Sequence, residues 1–163
     1  MKGLVLDTSA LYYGKDLPDG YELIISPGVV RELEREGMGP RLEFLLASKI
    51  RVYSPEEKHI EKVQLAARVT GDISRLSDTD IEVLALAHET GYQLVTDDYS
   101  IQNTAAELGV PCRGLDQRGI TSVWHWEARC IGCGKIFESN VSVCDICGSG
   151  TKSARKRKPR TKR

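Results

Sequence analysis

A carboxylate and two hydroxyl groups follow the first apolar run of the chain. Residues 3–6 are apolar or small, without polar alternation, and Asp7, Thr8 and Ser9 come directly after them. Such a run predicts a strand buried on both faces, whose carboxyl end lies at the edge of the sheet where α/β proteins bind ligands. Asp7 is therefore a candidate ligand of a divalent metal. Asp also caps helices, so capping the next helix is the alternative role for Asp7.

Further acidic residues occur where other predicted strands end or where predicted helices begin. They are Glu32, Asp80, Asp97 and Asp98. In a parallel sheet these positions share one edge with Asp7, so four or five carboxylates are expected to face it. The alternative for Asp80 is the third helical position of a capping box begun by Ser77, and the alternative for Glu32 is a solvated surface charge.

A group of carboxylates needs a counter-charge, because neighbouring carboxylates repel one another and partly protonate unless a hard cation neutralises them. Mg²⁺ or Mn²⁺ suits an all-oxygen site and can activate a bound water against a phosphodiester. The sequence has no phosphate-binding loop and no Gly-x-Ser-x-Gly motif, and His59, His88 and His125 lie in segments away from the acidic edge. These features favour metal-dependent hydrolysis.

Four cysteines near the C-terminus form two C-x₂-C pairs separated by ten residues. They are Cys130, Cys133, Cys144 and Cys147, and Gly134 and Gly148 follow the two pairs. This spacing predicts two knuckles around one structural Zn²⁺, with an iron site of the same ligands as the alternative. Disulfides are not expected without a secretion signal. The fifth cysteine, Cys112, is interpreted as a buried apolar side chain.

The elements that must position these groups alternate between strand and helix. Strands are predicted at residues 3–6, 21–25, 50–53, 92–96 and 110–115, and helices at 28–36, from 40, at 54–70, from 78 and at 100–108. This alternation predicts an α/β domain with a parallel sheet flanked by helices at residues 1–115. A linker is expected at 116–124, a small zinc ribbon at 125–152 and a basic, disordered tail at 153–163.

The approach to the first knuckle alternates between apolar and polar residues. Trp124 and Trp126 share one face of this predicted strand, where packing of a small core and stacking on bases are the two possible roles. From Lys152 to Arg163, 8 of 12 residues are Lys or Arg. Such a segment suits binding to phosphates, and a tail that only improves solubility is the alternative.

Charge is divided between the two parts of the chain. Residues 1–115 carry 12 Lys and Arg against 19 Asp and Glu, whereas residues 116–163 carry 11 against 4. An acidic body joined to a basic end suggests that one part binds cations and the other meets a polyanion. No apolar run approaches the ~20 residues of a membrane span, and residues 1–3 lead into the first strand without a secretory segment. A cytoplasmic protein without membrane contact is expected.

The acidic motifs resemble those of PIN-domain nucleases. The similar segments are residues 5–9, 27–33, 76–80 and 94–98. The resemblance implies a PIN-like fold and a metal-dependent endoribonuclease with four acids, which map to Asp7, Glu32, Asp80 and Asp98. Asp97 is the competing assignment for the fourth acid. Asp7, Asp80 and Asp98 would hold the Mg²⁺ or Mn²⁺.

A PIN-like domain followed by a four-cysteine ribbon and a basic tail is similar to the Nob family of ribosome-biogenesis endonucleases, and the segment 96–103 adds to this likeness. The resemblance implies cleavage of precursor small-subunit ribosomal RNA at its 3′ end, on the assembling small subunit, with an RNA-binding assembly factor as a further possible partner. Two alternatives are a toxin-type PIN ribonuclease, which would normally lack a ribbon, and a non-catalytic RNA-binding assembly factor.

Overall fold

The structure is a computed structural model, and it describes residues 2–12, 19–115, 119–138 and 141–156. The strands are β1 (Gly3–Leu6), β2 (Glu22–Ile25), β3 (Ile50–Val52), β4 (Gln93–Val95), β5 (Cys112–Arg113), β6 (Trp126–Cys130), β7 (Ile136–Phe137) and β8 (Thr151–Arg155). The helices are α1 (Thr8–Tyr12), α2 (Pro27–Arg35), α3 (Gly39–Ser48), α4 (Glu57–Thr70), α5 (Asp78–Thr90) and α6 (Tyr99–Leu108).

The first five strands form one parallel sheet in the order β3-β2-β1-β4-β5. β1 is the central strand, and all four of its residues are buried. Its register pairs Leu4 with Leu23 of β2 and with Gln93 of β4. The predicted α/β class and the prediction of a fully buried first strand are both confirmed.

Helix starts follow from the side chains that cap them. Ser26 caps α2, where its hydroxyl accepts a hydrogen bond from the Val29 amide and Pro27 occupies the first turn. Ser77 begins α5 with a complete capping box. α5 packs against β1, α2 and α4. Its first turn lies near the carboxyl end of the central strand, since the charge of Asp7 acts on Asp80.

Two predicted boundaries are wrong. α4 does not begin at residues 54 and 55 but after Glu56, which stays extended because its backbone amide donates to the Glu89 carboxylate at 2.8 Å. β5 is only two residues long, since the Val110 amide still closes α6 by donating to the Ala105 carbonyl at 2.8 Å.

The cysteine-containing segment forms a separate antiparallel sheet in the order β7-β6-β8. β8 runs to Arg155, so the residues from Ser153 to Arg155, expected in the disordered tail, are part of the ribbon sheet. They are ordered because β8 pairs along the whole of β6, from Cys130 to Trp126. Residues 116–118 of the predicted linker and 157–163 of the predicted tail lie outside the described residues. Within the described ranges, no helix has both the length and the hydropathy needed to span a bilayer.

Candidate active site and zinc cluster

Asp7 is a buried carboxylate at the carboxyl end of the central strand, and only 6% of its surface is exposed. Its Oδ1 accepts the Thr8 amide at 2.7 Å. Its Oδ2 accepts the hydroxyl groups of Ser9 at 2.9 Å and Thr96 at 2.7 Å. Asp7 precedes α1, as the capping alternative requires. A capping side chain normally accepts an amide two or three residues further on, whereas Asp7 accepts the amide of the next residue, Thr8. The three bonds fix the orientation of the carboxylate.

The charge of Asp98 acts on Asp7, and the charges of Asp7 and Asp98 both act on Asp80. Burial raises the pKa of Asp7, although the Thr96 and Ser9 hydroxyls oppose this, and the charge of Asp98 raises it further. Burial likewise raises the pKa of Asp80 to about 6, and the charges of Asp7 and Asp98 add to the effect. These shifts mean that the three carboxylates repel one another across a common, partly dehydrated space.

The capping-box interpretation of Asp80 is confirmed, and it uses only part of the carboxylate. The Ser77 amide donates to Oδ2 of Asp80 at 2.7 Å, and the Asp80 amide donates to the Ser77 hydroxyl at 3.2 Å. A capping carboxylate can still offer its other oxygen to a cation. The two roles that the sequence suggested for Asp80 are therefore compatible.

Asp97 and Asp98, adjacent in sequence, have different partners. Oδ1 of Asp98 caps α6 by accepting the Ser100 amide at 2.6 Å and the Ile101 amide at 3.2 Å. Oδ1 of Asp97 instead accepts the Leu115 amide at 2.7 Å, just beyond β5. Of the two, Asp98 is the one whose charge acts on both Asp7 and Asp80.

Glu32 reaches the same edge from α2. The Thr8 hydroxyl donates to its Oε2 at 2.6 Å, which connects α2 to the residue after Asp7. Glu32 is therefore not only a solvated charge. We call the set formed by Asp7, Glu32, Asp80 and Asp98 the acidic rim.

Two residues that the sequence analysis left without a role hold this rim together. Thr96 anchors Asp7, as described above, and Glu82 positions α2. Oε2 of Glu82 accepts the Gly28 amide at 2.7 Å, and its Oε1 pairs with Arg31 at 2.8 Å. A Cβ at Gly28 would lie 2.8 Å from Oε2 of Glu82, so the glycine permits this close approach. The sequence did offer one signal for such an acceptor. Backbone amides in the first turn of a helix such as α2 have no partner within the helix.

The donors of the rim suit a divalent cation. All of them are carboxylate oxygens, the ligands that Mg²⁺ and Mn²⁺ prefer. Burial is the main cause of the raised pKa values of Asp7 and Asp80, and the charges of neighbouring carboxylates add to it, so a bound cation would favour the charged forms of both groups. In the part of the chain that the structure describes, however, only the four cysteines bring three or more ligand atoms within 4.8 Å of one another. The carboxylates are more widely spaced than the thiols.

The four cysteines converge as a zinc site requires. The sulfurs of Cys130 and Cys147 are 3.4 Å apart, and those of Cys133 and Cys144 are 3.6 Å apart. Sulfurs bound to one tetrahedral Zn²⁺ lie about 3.8 Å apart when each Zn–S bond is about 2.3 Å. Backbone amides also point at the sulfurs, as when Gly132 donates to Cys130 at 3.3 Å. The cluster fits a structural Zn²⁺.

The thiols of the cluster hold their protons unequally. The pKa of Cys147 is lowered to about 6, because the Ser149 side chain and amide hydrogen-bond to its sulfur. The Lys135 amide favours the thiolate of Cys133, but burial and hydrogen bonding to the other three cysteines together outweigh it, and the pKa of Cys133 is raised to about 11. Loading with a metal therefore releases protons from the cluster.

The remaining cysteine and the histidines lie outside both sites. Burial raises the pKa of Cys112 to about 12, which agrees with its interpretation as an apolar, unreactive side chain. His59 of α4 and His88 of α5 face each other with their Nδ1 atoms 2.7 Å apart. His125 contacts the Val69 carbonyl.

The fold is similar to a known protein family and to a solved structure. A family model described as the PIN domain of ribonuclease matches residues 4–90, from β1 to the end of α5. A PilT N-terminus domain protein from Sulfolobus solfataricus P2 has a similar structure, with a TM-score of 0.50 and 18% identity, over 74% of this chain and 99% of that protein. The class defined by the fold is that of the PIN domains.

Curated relatives extend the match through the ribbon. Endoribonuclease Nob1 of Pyrococcus abyssi is 41% identical over 152 residues, which are 91% of each chain. Ribonuclease VapC1 of Thermoplasma acidophilum is 39% identical over 91% of this chain and 76% of its own. Endoribonuclease Nob1 of Archaeoglobus fulgidus is 38% identical over 89% and 86%. The chain belongs to the Nob family of PIN-domain endoribonucleases.

Proposed function

We propose that the protein is a divalent-metal-dependent endoribonuclease that cleaves precursor small-subunit ribosomal RNA at its 3′ end during ribosome maturation. The observation that carries the metal-dependent chemistry is the buried Asp7 carboxylate, held by three hydrogen bonds and repelled by Asp98. The RNA substrate is inferred from membership of the Nob family. The assembling small subunit and an RNA-binding assembly factor are the expected partners.

Asp7, Asp80 and Asp98 are the proposed ligands of Mg²⁺ or Mn²⁺, and Glu32 completes the set of acids. Such a cation supplies an activated water and stabilises charge on the phosphodiester. Ser9 and Thr96 keep Asp7 aligned, and the capping bonds hold the backbones that carry Asp80 and Asp98. Asp97 is the competing fourth acid, although its Oδ1 is used by Leu115.

The basic end of the chain is proposed to bind RNA. An acidic nuclease domain repels phosphates, so contact with RNA should rely on the ribbon, the tail and bound cations. A cleft of about 480 Å³ between the end of α4 and the ribbon is lined in part by Arg68, His125 and Lys156. Five of the seven residues that follow Lys156 are Lys or Arg. Glu127 and Glu138 also line the cleft and balance its charge, so the proposed contact with RNA rests on the basic residues that follow Lys156.

The decisive test is Asp7→Asn in the zinc-loaded, full-length protein. Asparagine keeps an oxygen for the Thr8 amide, and the two hydroxyl groups can rotate to accept from its nitrogen. Cleavage of an RNA that spans the 3′ boundary of the precursor, with Mn²⁺ present, should fall by about 100-fold or more, since a ligand charge is lost. RNA affinity should stay the same. Asp78→Asn, an exposed neighbour in the first turn of α5, is the control.

Two results would contradict the assignment. Undiminished cleavage by Asp7→Asn would mean that the centre is elsewhere, and a parent protein that binds but never cuts would support the non-catalytic assembly factor. The pair Asp97→Asn and Asp98→Asn separates the two adjacent acids. The proposal requires the larger loss of cleavage in Asp98→Asn.

A toxin-type ribonuclease remains the second candidate, because one relative that aligns through the ribbon carries the name VapC1. That reading predicts cleavage of RNAs unrelated to the precursor and growth arrest on expression in a heterologous host. Cleavage confined to the precursor boundary, without arrest, favours the maturation nuclease. Mapping the products on purified precursor particles distinguishes the two candidates.

A further inference from the structure

Two buried amide side chains of α6 bind the segment that connects the two domains. Gln102 and Asn103 are each only 2% exposed. Gln102 donates to the Thr96 carbonyl at 3.0 Å and accepts the Ile120 amide at 3.1 Å. Asn103 accepts the Trp124 amide at 2.6 Å and donates to the Trp124 carbonyl at 2.7 Å. Releasing the connection would break the three hydrogen bonds that join these side chains to the backbone of the connecting segment.

The same network continues into the ribbon. Asn103 also donates to Asp72 at 2.6 Å, and Asp72, which is 1% exposed, accepts Arg75 at 3.2 Å. The other guanidinium nitrogen of Arg75 donates to the Ser153 hydroxyl on β8 at 2.7 Å. The carbon centre of this guanidinium lies 4.1 Å from the centroid of the Trp126 ring on β6. One arginine of the nuclease domain thus holds two strands of the ribbon.

Close backbone packing supports these polar contacts. A Cβ at Gly71 would lie 2.8 Å from the Trp126 carbonyl oxygen, and this residue has φ +83°, so glycine is required on both grounds. The rings of both tryptophans are covered by cations, since Arg155 lies 4.7 Å from the centroid of Trp124. One face of each ring therefore takes part in packing at the ribbon.

We propose that Asp72, Arg75, Gln102 and Asn103 form a linker clamp that holds the ribbon in one orientation relative to the acidic rim. The clamp reaches the rim through Thr96, whose carbonyl binds Gln102 and whose hydroxyl binds Asp7. If the ribbon binds structured RNA, this rigid connection determines which phosphodiester is positioned at the acidic rim. The clamp residues are therefore positioning residues for the choice of cleavage site, and this inference rests on the proposed nuclease function.

The test uses Arg75→Ala and Arg75→Lys in the zinc-loaded, full-length protein. Arg75 lies outside both metal sites, and lysine retains the charge without the two-pronged geometry of a guanidinium. Cleavage is measured on two RNAs: a precursor fragment with its helix beside the cut, and an unstructured strand of the same boundary sequence. ¹⁵N relaxation of the ribbon and nuclease-domain amides reports whether the two domains tumble together.

Both variants should cut the structured RNA at several neighbouring bonds, with kcat/KM lowered by about tenfold or more, because small misplacements of a reacting group are costly. Their rates on the unstructured strand should stay within about twofold of the parent, since the rim is unchanged. The ribbon should tumble with the nuclease domain in the parent and faster in both variants. A precursor cut at a single site with parental kcat/KM by both variants would overturn the inference.

Two further outcomes are informative. If Arg75→Lys behaves like the parent while Arg75→Ala is impaired, Arg75 acts as a phosphate-binding charge and the clamp proposal is wrong. If the parent cuts neither RNA, the proposed nuclease function fails, and the relaxation data alone then decide whether the ribbon is held. Independent tumbling in the parent would refute the clamp whatever the activity.

Discussion

Asp80→Asn is expected to make the protein more stable at neutral pH when no Mg²⁺ or Mn²⁺ is added. The carboxyl group ionises near pH 3.8 in the unfolded chain, but burial raises its pKa to about 6 in the fold. Between these pH values the folded state binds the extra proton. The free energy of unfolding should therefore fall as the pH rises from about 4 to about 6, and stay low above it. Asparagine removes this dependence and retains an oxygen for the Ser77 amide.

The size of the effect follows from the pKa difference. A tenfold change in ionisation corresponds to about 1.4 kcal/mol, so the raised pKa represents about 3 kcal/mol before screening. Asp80 is only partly buried, and solvent screening reduces the expected gain to roughly 1 kcal/mol at pH 7. For a chain of this size, that gain is a rise in Tm of about 2–4 °C.

Urea unfolding of the zinc-loaded protein at pH 4 and pH 7 measures the effect, with Asp78→Asn as the matched control. Asp78 is exposed in the same helical turn, so its variant loses the same charge without relieving burial. A gain at pH 7 in Asp80→Asn that is absent from the control supports the reasoning, and equal stability of the two variants at pH 7 refutes it. Added Mn²⁺ should stabilise the parent more than Asp80→Asn. An equal response would contradict a ligand role for Asp80.

Three further changes probe the ribbon, the helix packing and the tail. Chelation of zinc should abolish the amide signals of the ribbon in NMR spectra while those of the parallel sheet persist, and a folded ribbon after chelation would exclude a structural metal. Gly28→Ala should lower the free energy of unfolding by about 1–3 kcal/mol, because its Cβ would lie 2.9 Å from the hydroxyl oxygen of the buried Thr79 and 2.8 Å from the Glu82 carboxylate. Gly39→Ala, where a Cβ meets nothing within 4 Å, is the control in urea unfolding. Truncation after Lys156 removes five cations and should flatten the dependence of RNA affinity on salt concentration; an unchanged slope would exclude a contact between the tail and RNA.

Local signals were enough to predict most of the nuclease fold. The apolar run before Asp7, the Ser-Pro start of α2 and the capping box of α5 are each determined within a few residues, and the structure has all three. The start of α4 was wrong because it depends on Glu89, a residue 33 positions away from Glu56. A Ser-Pro pair alone does not reveal that distant acceptor.

The site was predictable where chemistry and topology coincide. Acidic residues at strand ends and helix starts must share one edge of a parallel sheet, so the acidic rim could be proposed without coordinates. The roles of Glu82 and Thr96 could not be predicted in this way. Each of them acts by holding another group, and each lies at a position that resembles an ordinary helix or strand end. The choice between Asp97 and Asp98 likewise depends on the Leu115 amide, which the chain brings in from beyond β5.

The connection between the domains was the largest gap in the sequence reasoning. The sequence predicted a linker at 116–124 without a partner for it, and Gln102 and Asn103 were noted only as part of the segment 96–103 that resembles the Nob family. Their burial arises only because residues 119–124 fold back over α6 and place backbone groups opposite the two amides. The role of such polar residues depends on tertiary contacts that the sequence pattern does not show.

The direction of β8 has a practical consequence for handling the protein. Its last residues return toward the nuclease domain, where the Lys156 amide donates to the His125 carbonyl at 2.7 Å. A fluorophore attached at Lys156 would therefore lie at the joint between the domains and not at the knuckles, and it would report movement of the ribbon relative to the nuclease domain.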